Sequence, residues 1–347
     1  MKTTLTPFAR FLITLAILAG LFFGGKYILD NTSWGKSLMN KSAQSEDTTN
    51  TKAPEPGPTS ESSGSTSSSS DNEATATGSS SFNYVAKEPI NGKLKGVVEL
   101  GASGFNSFIV RIDKDKNWKL EKSEFGNSLV TENMATDEDI RAGLKKYIGS
   151  MLDFGVSGRD IHFVVSSGAV KADVTQKIIK NLKALNYFVN TVTPEQEGAL
   201  ALKCVLPEDF EDEGFVTDIG SGNTKISWST NGSVSALETY GAKYFQNGVD
   251  DGKVYDEVKA KASSVPSMKR KTCFIIGGVP FSMAKKVRVG KERYTVLKEP
   301  AFYKDLKDAK DKAGVNIYKA IKDATGCEQF VFDWDANFTI GFLLGLP

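Results

Sequence analysis

The residues best suited to chemistry lie in two glycine-rich turns, each of which follows an acidic residue at the end of an apolar run. Glu99 precedes the turn at 100–104, and Asp218 precedes the turn at 219–224. Glycine lets the backbone turn tightly and come close to a phosphate, and the exposed N–H groups of such a turn bind anions. The neighbouring carboxylate suits a divalent cation. A simple hairpin turn is the alternative interpretation.

The side chains of the two turns add hydroxyl and amide donors to those of the backbone. We therefore predict that both turns contact phosphate and that the two preceding carboxylates contact a metal ion. The predicted phosphate ligands are Gly101, Ser103, Gly220, Ser221, Gly222, Asn223 and Thr224, and the predicted metal ligands are Glu99 and Asp218.

The two turns occupy equivalent places in an internal repeat of three strands, a helix and one further strand. The first copy comprises strands near 94–103, 106–113 and 118–126, a helix near 136–155 and a strand near 161–168. The second copy comprises strands near 214–222, 224–230 and 233–241, a helix near 243–263 and a strand near 272–278. The short turns suit hairpins, and a strand after a helix suits a parallel crossover.

Two such units predict an α/β fold with two similar lobes that face a cleft. We place the first lobe at 84–208 and the second at 209–347. This layout resembles the actin, sugar-kinase and related ATPase superfamily, which implies two ribonuclease-H-like lobes around a phosphate-binding cleft. Because one fold hosts many functions, the loops have to indicate the activity.

The N-terminal segment combines an apolar run with a long polar stretch. Residues 11–25 carry no charge, and residues 27–29 extend the apolar run past Lys26, whose side chain is able to reach the interface. We predict a membrane anchor at 1–29, with a cleaved signal peptide as the alternative. The Ser-, Thr- and Pro-rich stretch that follows has few residues to bury, so we predict a disordered linker at 30–83.

The composition argues against several classes of site. The chain has 43 Lys and Arg against 42 Asp and Glu, and a net charge of +1, so we predict no nucleic-acid partner. Cys204, Cys273 and Cys327 are far apart in sequence, which predicts buried thiols rather than a disulfide framework or a metal site. The single histidine, His162, rules out zinc sites that need several imidazoles.

The second turn resembles a motif of a known enzyme family. Segment 216–225, VTDIGSGNTK, is similar to the second phosphate motif, Asp-Ile-Gly-Gly-Gly-Ser-Thr-Glu, of the exopolyphosphatase / guanosine pentaphosphate phosphohydrolase family. Other segments resemble its first motif, a strand end, its Glu-Glu-Ala segment and its third Gly-rich motif, in that order. They are 99–113, 165–170, 193–199 and 276–279.

The resemblance implies Mg²⁺-dependent hydrolysis of a phosphoanhydride bond in polyphosphate or a nucleotide. It places the catalytic base in the Glu-Glu-Ala segment, where Glu197 is the best match and Glu195 is the alternative. It also adds Gly277 and Gly278 to the phosphate-binding set. The alternative for the two glutamates is a solvated first turn of a helix, where the helix dipole favours acidic side chains.

Two departures from the family pattern bear on activity. Glu99 stands where the family has Asp, and Lys225 stands where it usually has Glu, which replaces a carboxylate with a cation. Catalysis is therefore expected to be altered or lost. A non-catalytic nucleotide or phosphate sensor and an actin-like, membrane-tethered scaffold remain alternatives to a phosphohydrolase.

The expected partners are a polyphosphate or nucleotide ligand and, through the N-terminal helix, a membrane; a homodimer is left open. Basic residues flank the apolar run on both sides, so the charge comparison that sets topology is nearly balanced. We expect a single-pass protein of a bacterial-type inner membrane, with a slight preference for an extracytoplasmic soluble domain.

Overall fold

Five strands form the first of two sheets in this computed structural model, which describes residues 82–101, 104–126 and 136–347. The strands are β1 (Lys93–Leu100), β2 (Phe105–Ile112), β3 (Trp118–Phe125), β4 (Ile161–Val165) and β5 (Val189–Thr191). Their spatial order is β3-β2-β1-β4-β5. The first three strands pair antiparallel, whereas β1, β4 and β5 run parallel.

The second sheet repeats this arrangement. Its strands are β6 (Gly214–Ile219), β7 (Asn223–Thr230), β8 (Ser233–Tyr240), β9 (Thr272–Ile276), β10 (Tyr294–Val296) and β11 (Gln329–Asp333). The order is β10-β11-β9-β6-β7-β8, in which β8-β7-β6-β9-β11 matches the whole first sheet and β10 adds an antiparallel edge. The predicted internal repeat and the mixed α/β fold with two sheets are confirmed.

Seven helices complete the part of the chain that the structure describes. They are α1 (Asp137–Asp153), α2 (Asp173–Ala184), α3 (Pro194–Val205), α4 (Asp251–Ala262), α5 (Gly278–Lys285), α6 (Ala309–Thr325) and α7 (Phe338–Gly345). Helix α3 begins with a capping box, in which the side chains of Thr193 and Gln196 each accept a hydrogen bond from the other residue's backbone N–H. This cap fixes the start of the helix that carries the candidate base.

The predicted helix at 243–263 is shorter than expected. A single 3-10 turn at Tyr244–Asn247 ends at Gly248, whose φ of 66° lies in the left-handed region. Helix α4 then begins at Asp251, because the side chain of Asp250 accepts hydrogen bonds from the backbone N–H groups of Gly252 and Lys253. Two local signals therefore divide a segment that helical periodicity alone joined.

The core links both sheets. One cluster of buried side chains combines Val97 and Phe108 of the first sheet with Val216 and Phe274 of the second, and α7 adds Leu343. All described residues belong to one compact unit. The predicted lobe boundary between 208 and 209 stays a prediction.

The three cysteines are free and buried, as predicted. His162 is half-buried, with its ring centroid 5.8 Å from that of Phe342, and burial lowers its pKa. Both findings fit structural roles for these side chains.

The predicted anchor at 1–29 and nearly all of the predicted linker at 30–83 lie outside the described residues. Within the described ranges, no helix combines the length and the apolar character that crossing a bilayer requires. The ring of Phe82 already packs against the core, with its centroid 5.4 Å from that of Phe210 and 5.7 Å from that of Phe274.

Candidate functional site

The second glycine-rich turn is fixed by its own backbone. Gly220 N–H donates to the carbonyl of Asn223 (3.1 Å), and its carbonyl accepts from Ala242 N–H (2.9 Å). A Cβ on Gly220 would lie 2.7 Å from the Asn223 carbonyl oxygen, a distance that side chains do not tolerate. The turn therefore requires glycine at this position.

The first turn ends the equivalent strand of the other sheet. Gly101 N–H donates to the carbonyl of Gly104 (2.9 Å). The preceding Glu99 accepts hydrogen bonds at Oε2 from Asn106 Nδ2 (2.9 Å) and Asn337 Nδ2 (3.0 Å). Ser103 lies outside the described residues, so its role in phosphate binding stays a prediction.

Burial and the charge of Glu197 act on the acidic residues at the strand ends of both sheets. Burial raises the pKa of Glu99 to about 7, and the charges of Glu197 and Asp218 also act to raise it. Burial likewise raises the pKa of Asp218 to about 6, although the neighbouring Lys225 acts to lower it. Glu99 and Asp218 are therefore both dehydrated, and the charge of Glu197 acts on each of them.

Glu197, the predicted base, is buried in an ion pair. Its Oε1 contacts the ammonium of Lys225, and the two side chains are only 2% and 3% exposed. Its Oε2 accepts from both the backbone N–H (2.8 Å) and the hydroxyl (2.6 Å) of Ser167. Both oxygens of the carboxylate are therefore engaged by the protein.

The position of this pair follows from the close packing of α3 on β7 and β8. A Cβ on Gly198 would lie 2.8 Å from Cβ of Ala236 and 3.6 Å from Cβ of Lys225. Glycine at 198 thus lets the helix approach the sheet closely enough for the adjacent Glu197 to reach the lysine.

A polar bridge joins the two sheets at the site. Asn223 Nδ2 donates to Ser167 Oγ (2.9 Å) and to Glu238 Oε1 (2.6 Å). Beside it the backbones of Gly168 and Gly222 approach closely: a Cβ on Gly222 would lie only 3.1 Å from Cα of Gly168. The segment after β4 therefore lies directly on the second glycine-rich turn.

The third glycine-rich motif lies beside Asp218. Gly277 has a φ of 111°, and a Cβ there would lie 2.3 Å from the Ile219 carbonyl oxygen and 3.0 Å from Asp218 Oδ1. Gly278 begins α5, and the Nζ of Lys310 lies 3.5 Å from where its Cβ would be. The motif thus closes one side of the site with bare backbone.

One predicted site residue, Glu195, lies apart from the others that the structure describes. Glu195 is only two residues from Glu197 along α3, so it points to a different side of the helix and is exposed; the structure does not bring it to the site. The Asn223 side chain bonds to protein groups, and Thr224 is fully buried, with no hydrogen-bond partner for its hydroxyl among the described residues. The remaining predicted residues that the structure describes lie in the three turns or beside them.

Sequence reasoning missed the side chains that hold the site together. Ser167 lies in the strand-end segment that carried part of the resemblance, so a signal for it existed. Asn106 likewise lies in the first-motif segment 99–113. Glu238 and Asn337 had no such signal, since only the fold brings Asn337 to Glu99 across 238 positions of sequence.

The described residues do not fit the predicted Mg²⁺ site well. No group of three or more His, Cys, Asp or Glu side chains among them is placed to hold a metal ion. Lys225 takes one oxygen of Glu197, and its charge acts on Asp218. The charge of Asp218 acts on Glu99, but the cation opposite Asp218 is a lysine, and the metal stays a prediction.

No protein-family model and no curated protein matches the sequence. Solved structures with the same fold include an exopolyphosphatase from Cytophaga hutchinsonii (TM-score 0.59, 14% identity, 74% of this chain and 99% of that chain). They also include a Ppx/GppA family member from Aquifex aeolicus (TM-score 0.54, 18% identity, 73% and 97%). The chain therefore has the fold of the Ppx/GppA exopolyphosphatase structures, as its motifs predicted.

Proposed function

We propose that this chain binds a phosphoanhydride ligand, polyphosphate or a nucleotide, between its glycine-rich turns and hydrolyses it slowly. The observation that carries the proposal is the contact of Glu197 with Lys225, which lies opposite Asp218 in the ladder of β6 and β7 and beside the second glycine-rich turn. The fold shared with exopolyphosphatase structures supports the same activity. Backbone N–H groups of the turns bind the phosphate, as charge stabilisation in phosphoryl transfer requires.

Glu197 is the proposed general base. A carboxylate in this position orients or deprotonates the attacking water once one of its oxygens is released. In the described geometry, Lys225 and Ser167 hold both oxygens, so a ligand has to displace at least one contact before the base acts. This requirement is the physical reason for slow turnover.

A second candidate function is a non-catalytic phosphate or nucleotide sensor. The buried ion pair favours it, because Lys225 and Ser167 occupy both oxygens of the Glu197 carboxylate and leave neither free to contact an attacking water. The bridge from Asn223 to Ser167 favours it as well, since a ligand that inserts between these groups changes how the two sheets meet.

A phosphate-release screen of the full chain tests the proposal, with polyphosphate, guanosine polyphosphates and nucleoside triphosphates as substrates, each with and without Mg²⁺. Glu197→Gln is expected to lower the rate by about 10²–10⁴-fold, the usual contribution of a positioned base. Glu195→Gln is the matched control, because Glu195 lies on the same helix but is exposed. Equal rates for wild type and Glu197→Gln contradict the base assignment; binding without any release supports the sensor.

The proposal includes a membrane anchor at 1–29 in a bacterial-type inner membrane. Protease added to intact spheroplasts tests the topology. Digestion of the soluble part in intact spheroplasts places it outside the cytoplasm, whereas survival there and digestion after lysis places it inside. Release of the full chain into the soluble fraction without detergent contradicts the anchor itself.

A further inference from the structure

Lys225 is a buried cation at the centre of the candidate site. It lies on β7 directly opposite Asp218 of β6 in the antiparallel ladder, so the two side chains share one face of the sheet. Its side chain is 3% exposed, and its ammonium contacts Glu197. A cation that is this well buried normally has carboxylate partners, and here Glu197 contacts the ammonium and Asp218 lies opposite it in the ladder.

The ammonium also lies beside the phosphate turn. Nζ is 3.9 Å from the position that a Cβ on Gly220 would take. It is therefore close to the backbone that is proposed to hold phosphate. An ammonium carries three donors, so its contact with Glu197 leaves others for a phosphate oxygen.

A divalent cation at the same place would meet strong repulsion. Two positive charges a few ångströms apart repel each other strongly in a protein site, because little water is present to screen them. The described acidic side chains do not compensate, because no group of three or more of them is arranged around a metal position. The lysine thus supplies positive charge at the position where a metal ion would otherwise supply it.

We propose that Lys225 supplies the positive charge of this site, so that the chain binds its phosphoanhydride ligand without a divalent cation. This inference rests on the proposed function, since it specifies how the same site neutralises phosphate. A purely structural lysine, which pairs with Glu197 and never meets the ligand, is the competing explanation, and the variants below separate the two.

The first experiment compares calorimetric titrations of inorganic tripolyphosphate into the full chain, in EDTA and in excess MgCl₂. The dissociation constants are expected to agree within about threefold. Binding that needs Mg²⁺, or that is more than about tenfold tighter with it, overturns the inference but leaves the proposed function standing. No binding in either buffer overturns both, so the two failures are distinguishable. The tenfold threshold corresponds to about 1.4 kcal/mol of binding free energy.

The second experiment repeats the EDTA titration with Lys225→Met, which keeps the length of the side chain and removes its charge. Affinity is expected to fall at least about tenfold. Lys261→Met, at an exposed position of α4, is the matched control and is expected to bind like wild type. Unchanged affinity of a folded Lys225→Met supports the structural lysine and overturns the inference. If that variant does not fold, the wild-type comparison decides alone.

Lys225→Glu gives the reciprocal test. It restores the carboxylate found in the family motif and removes the competing cation, so tripolyphosphate binding is expected to become Mg²⁺-dependent by at least about tenfold. A folded Lys225→Glu that binds equally well in EDTA and Mg²⁺ contradicts the role assigned to the lysine charge.

Discussion

Breaking the ion pair between Glu197 and Lys225 is expected to destabilise the protein strongly. The two side chains are 2% and 3% exposed, so water does not replace the lost partner. Removing one member of a buried pair typically costs about 3–5 kcal/mol. Glu197→Gln retains an amide oxygen that accepts from Ser167, so we expect the lower end, about 3 kcal/mol. Lys225→Met leaves a buried carboxylate with only the Ser167 donors, and we expect about 4 kcal/mol.

The double variant Glu197→Gln/Lys225→Met distinguishes the interaction energy of the pair from the contributions of the two side chains alone. Since neither charge remains, we expect it to recover at least about 2 kcal/mol relative to the sum of the single losses. Urea unfolding of the full chain, followed by circular dichroism, measures all four proteins. The exposed pair of Lys87 and Glu208, whose side chains are 68% and 87% exposed, is the control cycle, with an expected coupling below about 1 kcal/mol.

Additive losses at the buried pair contradict this reasoning. If each single variant costs less than about 1 kcal/mol and the coupling energy between the two substitutions is below about 0.5 kcal/mol, the pair is solvated in solution. The candidate base is then free in the absence of ligand, and the explanation for slow turnover fails.

Three further predictions concern stability. The pKa of Glu99 is about 7 in the folded protein, against an ordinary value of 4.5 that applies to the unfolded chain. Between these two pH values the folded form holds a proton that the unfolded form has lost, so the free energy of unfolding falls as pH rises from about 4.5 to 7. Between about pH 5 and pH 8 this fall is on the order of 2 kcal/mol, and Glu99→Gln is expected to remove it. Urea unfolding at the two pH values measures the change, and a variant with the pH profile of wild type contradicts the prediction. Gly277→Ala is expected to cost at least about 2 kcal/mol of unfolding free energy, because of its positive φ and the nearby Ile219 carbonyl, whereas Gly232→Ala, with a positive φ but open space, is expected to cost about 1 kcal/mol. Phe82→Ala is expected to lower the free energy of unfolding by about 2 kcal/mol, because its aromatic contacts are lost. An effect no larger than that of Val85→Ala, at an exposed position, contradicts this.

The repeat and the placement of the turns were readable from the sequence, because they depend on short-range patterns. Short strands, glycine-rich turns and one periodic helix occur twice in the same order, and each turn follows a strand that lies in the interior of its sheet. Where a local signal overrode periodicity, as at Gly248 and Asp250, the prediction of a single helix was wrong.

The internal contacts of the site were not readable in the same way. The pairing of Lys225 with Glu197 depends on the packing of α3 against β7, which the small residue at Gly198 permits. The contact of Asn337 with Glu99 depends on the return of the C-terminal part of the chain to the first sheet. Neither contact has a sequence pattern, since tertiary packing sets both.

Calorimetric titration of tripolyphosphate into wild type and Gly220→Val tests the central claim most directly, namely that the glycine-rich turns form one phosphate site. A Cβ at 220 would meet the Asn223 carbonyl at 2.7 Å, so the variant is expected to lose binding at least about tenfold. Gly149→Val is the control, because a Cβ there has no neighbour within 4 Å. Equal affinity of wild type and a folded Gly220→Val, or no binding to wild type, contradicts the claim.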